Sequence, residues 1–141
     1  MKRSNLAATA AALLLLAGST LAPSAYAADP ESVQQSGGIS YVSGGVGADS
    51  TARLNSLAKD FNLKLVFALK SGDYVSEVAV AIVDAAGKPL LNTRSEGPLF
   101  LTRLPRGSFK IAATFGGRTQ TRTVAITAEK LQTIDFRFNA E

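Results

Sequence analysis

From Leu63 onward the chain alternates apolar and polar residues with a period of two. Leu63, Leu65, Phe67 and Leu69 are interleaved with Lys64, Val66, Ala68 and Lys70. Phe109, Ile111, Ala113 and Phe115 are interleaved with Lys110, Ala112 and Thr114. Successive side chains on a strand point to opposite faces, so each segment predicts a strand with one apolar face. Val78, Val80 and Ile82 face one way and Ala79, Ala81 and Val83 the other, which predicts a strand covered on both sides. Leu90 and Leu91 open a shorter strand, Gly97-Pro98 breaks it, and residues 99–103 form another. Residues 118–127 predict a long strand with Val124 and Ile126 buried. Gln120 and Arg122 share their parity, so a bulge or an extension past the core is expected there. Ile134, Phe136 and Phe138 point inward on a last strand over residues 131–138.

The punctuation between these segments is that of short antiparallel connections. Leu104-Pro105-Arg106-Gly107 suits a type I turn, because proline presets φ at the first central position. Gly116-Gly117 suits a two-residue hairpin, whose primed turn needs positive φ. About seven short strands spaced in this way predict an all-β fold, a seven-stranded antiparallel β-sandwich. A closed barrel is the alternative; the clean inward alternation and the absence of strand-long glycine bends favour the sandwich.

The pattern changes before Leu63. Leu54, Leu57, Ala58 and Phe61 fall at i, i+3, i+4 and i+7, predicting one short helix over residues 49–61, capped by Asp49 or Ser50. Residues 28–48 are poor in apolar residues and rich in glycine and serine, a flexible leader in which Ile39, Tyr41 and Val42 dock on the domain. Two related phrases, Ser36-Gly37-Gly38-Ile39 and Ser43-Gly44-Gly45-Val46-Gly47, lie in it. A phosphate-cradling loop would need a Gly-Lys-Ser/Thr ending and a preceding buried strand, and neither is expected here.

Lys2 and Arg3, an apolar run from Leu6 to Ala17, Pro23 and Ala25-Tyr26-Ala27 have the order of a secretory signal peptide cleaved after Ala27. The expected organisation is a signal at 1–27, a leader at 28–48, a helix at 49–61 and a β-domain at 62–141. Cleavage removes Lys2 and Arg3 and no acid, lowering the formal charge from +4 to +2. The expected location is the bacterial periplasm or the exterior, with no membrane span after cleavage.

Composition narrows the chemistry. The chain has no cysteine and no histidine. A disulfide framework, a thiol nucleophile, a histidine-based triad and zinc sites built on these residues are therefore unavailable. Asp73, Glu77, Asp84, Glu96 and Asp135 are scattered over separate turns and strands, and no Asp-x-Asp-x run for calcium is present. No catalytic residue, cofactor or metal is expected, and a carboxylate-only hydrolase is the remote alternative. Tyr74 reads as a core-edge tyrosine, with an exposed recognition aromatic as the other option.

Val78-x-Val80-x-Ile82-x-Asp84-Ala85-x-Gly87, then Gly97-Pro98, then Leu104-Pro105-x-Gly107-x-Phe109-x-Ile111-x-Ala113 resemble the carboxypeptidase regulatory-like domain. The resemblance spans roughly residues 63–138 and implies a transthyretin-like (prealbumin-like), immunoglobulin-like sandwich. The leader and helix lie outside it; with them included, the chain resembles small exported bacterial proteins that carry this domain alone. Prealbumin-like hydroxyisourate hydrolases depend on histidines, which this chain lacks. Related pilin and adhesin domains form a Lys–Asn isopeptide bond beside a buried acid, for which Lys64, Asn139 and Glu77 are the candidates. Residues 54–63 also resemble the helix–strand of small secretin and TonB-receptor N-terminal domains.

Between Lys88 and Arg122 there are seven basic residues and one acid, Glu96. If the turns at Arg106 and Arg118 adjoin, then Arg103, Arg106, Lys110, Arg118 and Arg122 form a basic patch suited to an anionic glycan, an anionic lipid or an acidic protein. The plain alternative is a solubilising surface whose edge-strand cations deter sheet-to-sheet pairing. The functional expectation is a non-catalytic module binding an envelope protein or anionic surface polymer, not nucleic acid. A structural or assembly subunit using sheet-edge pairing is the runner-up.

Overall fold

The computed structural model describes residues 32–127 and 130–139. The signal segment and its expected cleavage point at Ala27 lie outside the described residues. In chain order the elements are β1 (Gln34–Ser36), β2 (Ile39–Gly44), α1 (Ala48–Leu57) with a 3-10 turn at Ala58–Asp60, β3 (Leu63–Leu69), β4 (Val78–Asp84), β5 (Pro89–Ser95), β6 (Leu99–Arg103), β7 (Gly107–Phe115), β8 (Arg118–Ile126) and β9 (Gln132–Phe138). They form two sheets, β1-β2-β6-β3-β9 and β5-β4-β7-β8, packed as a sandwich. No helix among the described residues is long and apolar enough to cross a membrane.

The all-β sandwich matches the alternation. Leu63, Leu65 and Phe67 of β3 meet Val78, Val80 and Ile82 of β4, Ile111 and Ala113 of β7, and Phe136 and Phe138 of β9 in the main core. Phe67 and Phe136 lie 5.7 Å apart between ring centroids, and Tyr41 stacks on Phe100 at the same distance. A second cluster lies on the other face of the first sheet, where Leu54 and Phe61 cover Val42, Leu99 and Leu101. The helix therefore packs on its own domain, across a face of the first sheet. Its cap differs from expectation. Gly47 occupies the N-cap without a side-chain bond, and Ser50 instead accepts the Gly45 amide at 2.8 Å.

Several expectations are corrected. Nine strands form among the described residues rather than seven, because residues 34–44 of the expected leader pair as β1 and β2, and β2 joins β6. Ile39 and Val42 are buried on opposite faces of β2, which anchors this strand firmly. The first sheet is mixed rather than antiparallel. After β8 the chain crosses to the other sheet and starts β9 beside the start of β3, so β9 runs parallel to β3 with Leu63 opposite Gln132. β4 is not covered on both sides: Ala79, Ala81 and Val83 are only half-buried on an uncovered outer face. β8 does not bulge, since its pairing with β7 is continuous from Gly107–Ile126 to Phe115–Arg118. Gln120 and Arg122 instead reach across the open side of the sandwich. Gln120 donates to the Arg137 carbonyl, and the Arg122 guanidinium lies 5.5 Å from the Phe136 ring centroid.

Candidate functional site

One end of the sandwich is shaped by three chain segments that the sequence separates widely. The β1–β2 hairpin turns at Gly37-Gly38, both at positive φ (56° and 83°), a conformation that only glycine adopts freely. The residues joining β6 to β7 bring Arg103, Leu104, Pro105 and Arg106 alongside it, and Asn62 lies beneath them. Between these segments is an open cleft of about 560 Å³, within the size range of small-molecule sites. Its floor is made by Ile39, Leu90, Leu104 and Ile126, and no Asp or Glu among the described residues lines it.

The Leu104–Gly107 loop that follows Arg103 is not closed by a turn hydrogen bond from Gly107 to Leu104. Leu104 spends its backbone groups on Asn62 instead. Leu104 N–H donates to Asn62 Oδ1 at 2.9 Å, and Asn62 Nδ2 donates to the Leu104 carbonyl at 2.7 Å. Asn62 is buried, and its own backbone bonds the Thr102 carbonyl and the Gln132 amide. Through its side chain Asn62 holds the β6–β7 loop, and through its backbone it joins the starts of β3 and β9. Buried polar groups must be paired, so this reciprocal pair fixes the loop. Arg103 donates to the Asp60 carbonyl at 3.4 Å. Arg106 is exposed and has no hydrogen-bond or ion-pair partner among the described residues. A concave apolar floor with two guanidinium groups and no carboxylate is suited to an anion, which arginine can hold through paired N–H donors.

The remaining expected cations do not join them. Arg106 precedes β7 and Arg118 follows the hairpin at its far end, so the two lie about 30 Å apart at roughly 3.3 Å per residue. The five-residue patch over Arg103, Arg106, Lys110, Arg118 and Arg122 is therefore not one surface. Lys110 is exposed on the outer face of the second sheet, opposite in parity to the buried Phe109 and Ile111. Arg122 covers Phe136. Arg122→Ala is expected to cost about 1 kcal/mol through this cation–π contact, while Lys110→Ala should stay within about 0.5 kcal/mol. Urea unfolding of the two variants checks the difference.

The other candidates separate too. Lys64 Nζ donates to Asn55 Oδ1 at 3.3 Å, and Lys64 is aligned with Thr133. Asn139 follows Phe138, about 20 Å further along β9, and Glu77 pairs with Arg94 at 3.7 Å. The Lys64–Asn139–Glu77 trio is not assembled. Asp84 Oδ1 accepts the Ala86 and Lys88 amides, and Asp73 accepts Ser71 Oγ, each within its own turn. No group of three potential metal ligands converges among the described residues. Tyr74 is 69% exposed rather than at the core edge.

A buried strand, β2, does precede the second glycine phrase, contrary to expectation. Even so, Ser50 takes the Gly45 amide and Asp49 stands in the first turn of α1, where its charge disfavours an anion. Gly37, Gly38, Asn62 and Leu90 were not among the sequence candidates; only Arg103 and Arg106 were. No protein-family model matches the chain, and no curated protein matches it either.

Proposed function

We propose that this chain is an exported, non-catalytic β-sandwich module that binds an anionic partner of the cell envelope, an acidic protein or a surface polymer, through the Arg103–Arg106 cleft. The sandwich is of the carboxypeptidase regulatory-like kind. The observation that carries this reading is the placing of two arginines beside an apolar floor with no lining carboxylate among the described residues. Sheet-edge assembly ranks second. Along the β8–β9 side the Thr121, Ala125 and Arg137 carbonyls already accept from Arg122, Gln132 and Gln120, and such capping blunts an edge for strand addition.

The test is affinity capture from native envelope extract at low and high salt. Wild-type protein and Arg118→Ser should retain an acidic partner that salt releases. The Arg103→Ser/Arg106→Ser double variant should bind it about a hundred-fold more weakly, each lost charged contact being worth roughly ten-fold. Equal capture by the double variant would move the surface elsewhere.

A further inference from the structure

The two sheets differ by one strand, five in the first and four in the second. On one side they end level, because Gln120 and Arg122 of β8 reach the Arg137 carbonyl and the Phe136 ring of β9. On the other side β5 contacts β2, and Gly97, just past β5, abuts the Gly44 backbone at the end of β2. Strand β1 therefore projects beyond β5 by one strand spacing, about 5 Å. No described strand faces it across the sandwich. Its residues are exposed, and Val33 just before it is 48% exposed.

The edge beside this ledge is β5, which pairs with β4 on one side and with no described strand on the other. Edges are commonly blunted by prolines, bulges or capping side chains. On β5 the proline and the register shift fall at Pro89 and Leu90, and residues 91–95 pair regularly with β4. We infer that this stretch of β5 is a docking edge for one extended peptide segment of another protein. The segment adds a fifth strand to the second sheet and lies over β1, held by backbone ladder bonds.

A second copy of the chain does not fit there. Antiparallel pairing of β5 with its own copy puts both first sheets on the same side of the joined sheet. The copy's β2, which faces its own β5, would then fall where β1 already lies. A lone segment carries no second layer and meets no such obstacle. The chain ahead of β1 fits poorly too. Cleavage after Ala27 would leave only residues 28–31 before Ser32. These span at most about 14 Å, most of it used in crossing the roughly 10 Å between sheets.

The side chains of β5 define the segment. Leu91 and Thr93 turn toward the core, and Asn92 and Arg94 are exposed on the outer face. A matching strand alternates β-branched apolar residues with polar ones, with an acid across from Arg94. Glu77 lies 3.7 Å from Arg94, but both side chains are 65% exposed, and so open a pair is readily exchanged. This edge needs neither Arg103 nor Arg106 and stands apart from the cleft reading.

The experiment selects a phage-displayed library of random short peptides on the full chain purified from a bacterial host. Selected peptides are resynthesised with a single N-methyl group at each position in turn. A paired strand turns every second N–H toward its neighbour. N-methylation should therefore weaken binding about ten-fold at alternate positions and little between them. Amide hydrogen exchange locates the site. Alternate amides within residues 91–95 should exchange freely in the protein alone, and about ten-fold more slowly with peptide at about ten times its Kd. Arg94→Glu should turn the preference from acidic to basic peptides, and Arg103→Ser/Arg106→Ser should bind the selected peptides as wild type does. No selected peptide, an N-methyl effect without alternation, or protection away from β5 would overturn the inference. So would β5 edge amides already protected in the free protein, whether by residues ahead of Ser32 or by a second copy. Salt-sensitive envelope capture lost from the Arg103→Ser/Arg106→Ser variant would in that case leave the cleft standing without the edge.

Discussion

Asn62→Ala is expected to lower the unfolding free energy by about 3 kcal/mol. The substitution removes both hydrogen bonds to Leu104 and strands a buried donor and a buried acceptor, each costing about 1–3 kcal/mol. Replacing Asn62 by aspartate separates the two contributions. Aspartate still accepts from Leu104 N–H, but its second oxygen then faces the Leu104 carbonyl. The Asp variant should be as unstable as the Ala variant at neutral pH and should regain stability on acidification, when a protonated carboxyl can donate to that carbonyl. Urea melts at two pH values measure this. A loss below about 1 kcal/mol for Asn62→Ala would show that the loop is held by something other than this pair. Because the loop carries Arg103 and Arg106, both variants should also weaken anion capture while leaving the cations in place.

Gly97→Ala is expected to be at least as damaging, for a steric reason. Gly97 lies between β5 and β6, buried against the end of β2. A Cβ there would stand 2.1 Å from the Gly44 carbonyl oxygen and 2.4 Å from its carbon. Both atoms are backbone, so no side chain can swing away. The chain must separate locally, which also strains the neighbouring bonds from Glu96 N–H to Ser43 Oγ, at 3.1 Å, and from Ser95 Oγ to the Gly97 carbonyl, at 2.6 Å. Overpacking of this kind costs about 3 kcal/mol or more, a fall in melting temperature of roughly 15 °C for a domain of this size. A circular-dichroism melt within about 3 °C of wild type would contradict the close approach of these strands.

These two residues also mark how far the sequence could be read. Strands β3, β4, β7 and β9 were legible because each turns one apolar face to a single core, and a period of two survives that arrangement. β2 was not. Ile39 and Tyr41 face the main core while Val42 lies under the helix, and buried Ser43 and Gly44 add no apolar signal. β1 is Gln-Gln-Ser and exposed throughout. The parallel pairing of β3 with β9 leaves no trace in either strand, since alternation carries no direction. At the cleft, charge pointed to Arg103 and Arg106. Asn62, however, reads locally as a helix-terminating residue, and its role depends on a partner 42 positions away. Arg122 was misplaced for the opposite reason: its inward parity was legible, but the ring it covers belongs to the other sheet.

An anionic partner docking at the Gly37–Arg106 end of the sandwich should be open to crosslinking there. The most direct measurement places photoreactive benzoylphenylalanine at Pro105, beside both arginines, and separately at exposed Tyr74 in the β3–β4 loop, in cells making the protein. An adduct is expected from position 105 that disappears when Arg103→Ser and Arg106→Ser are added, and none from position 74. An adduct from position 74 alone, or one from 105 indifferent to both arginines, would contradict this docking.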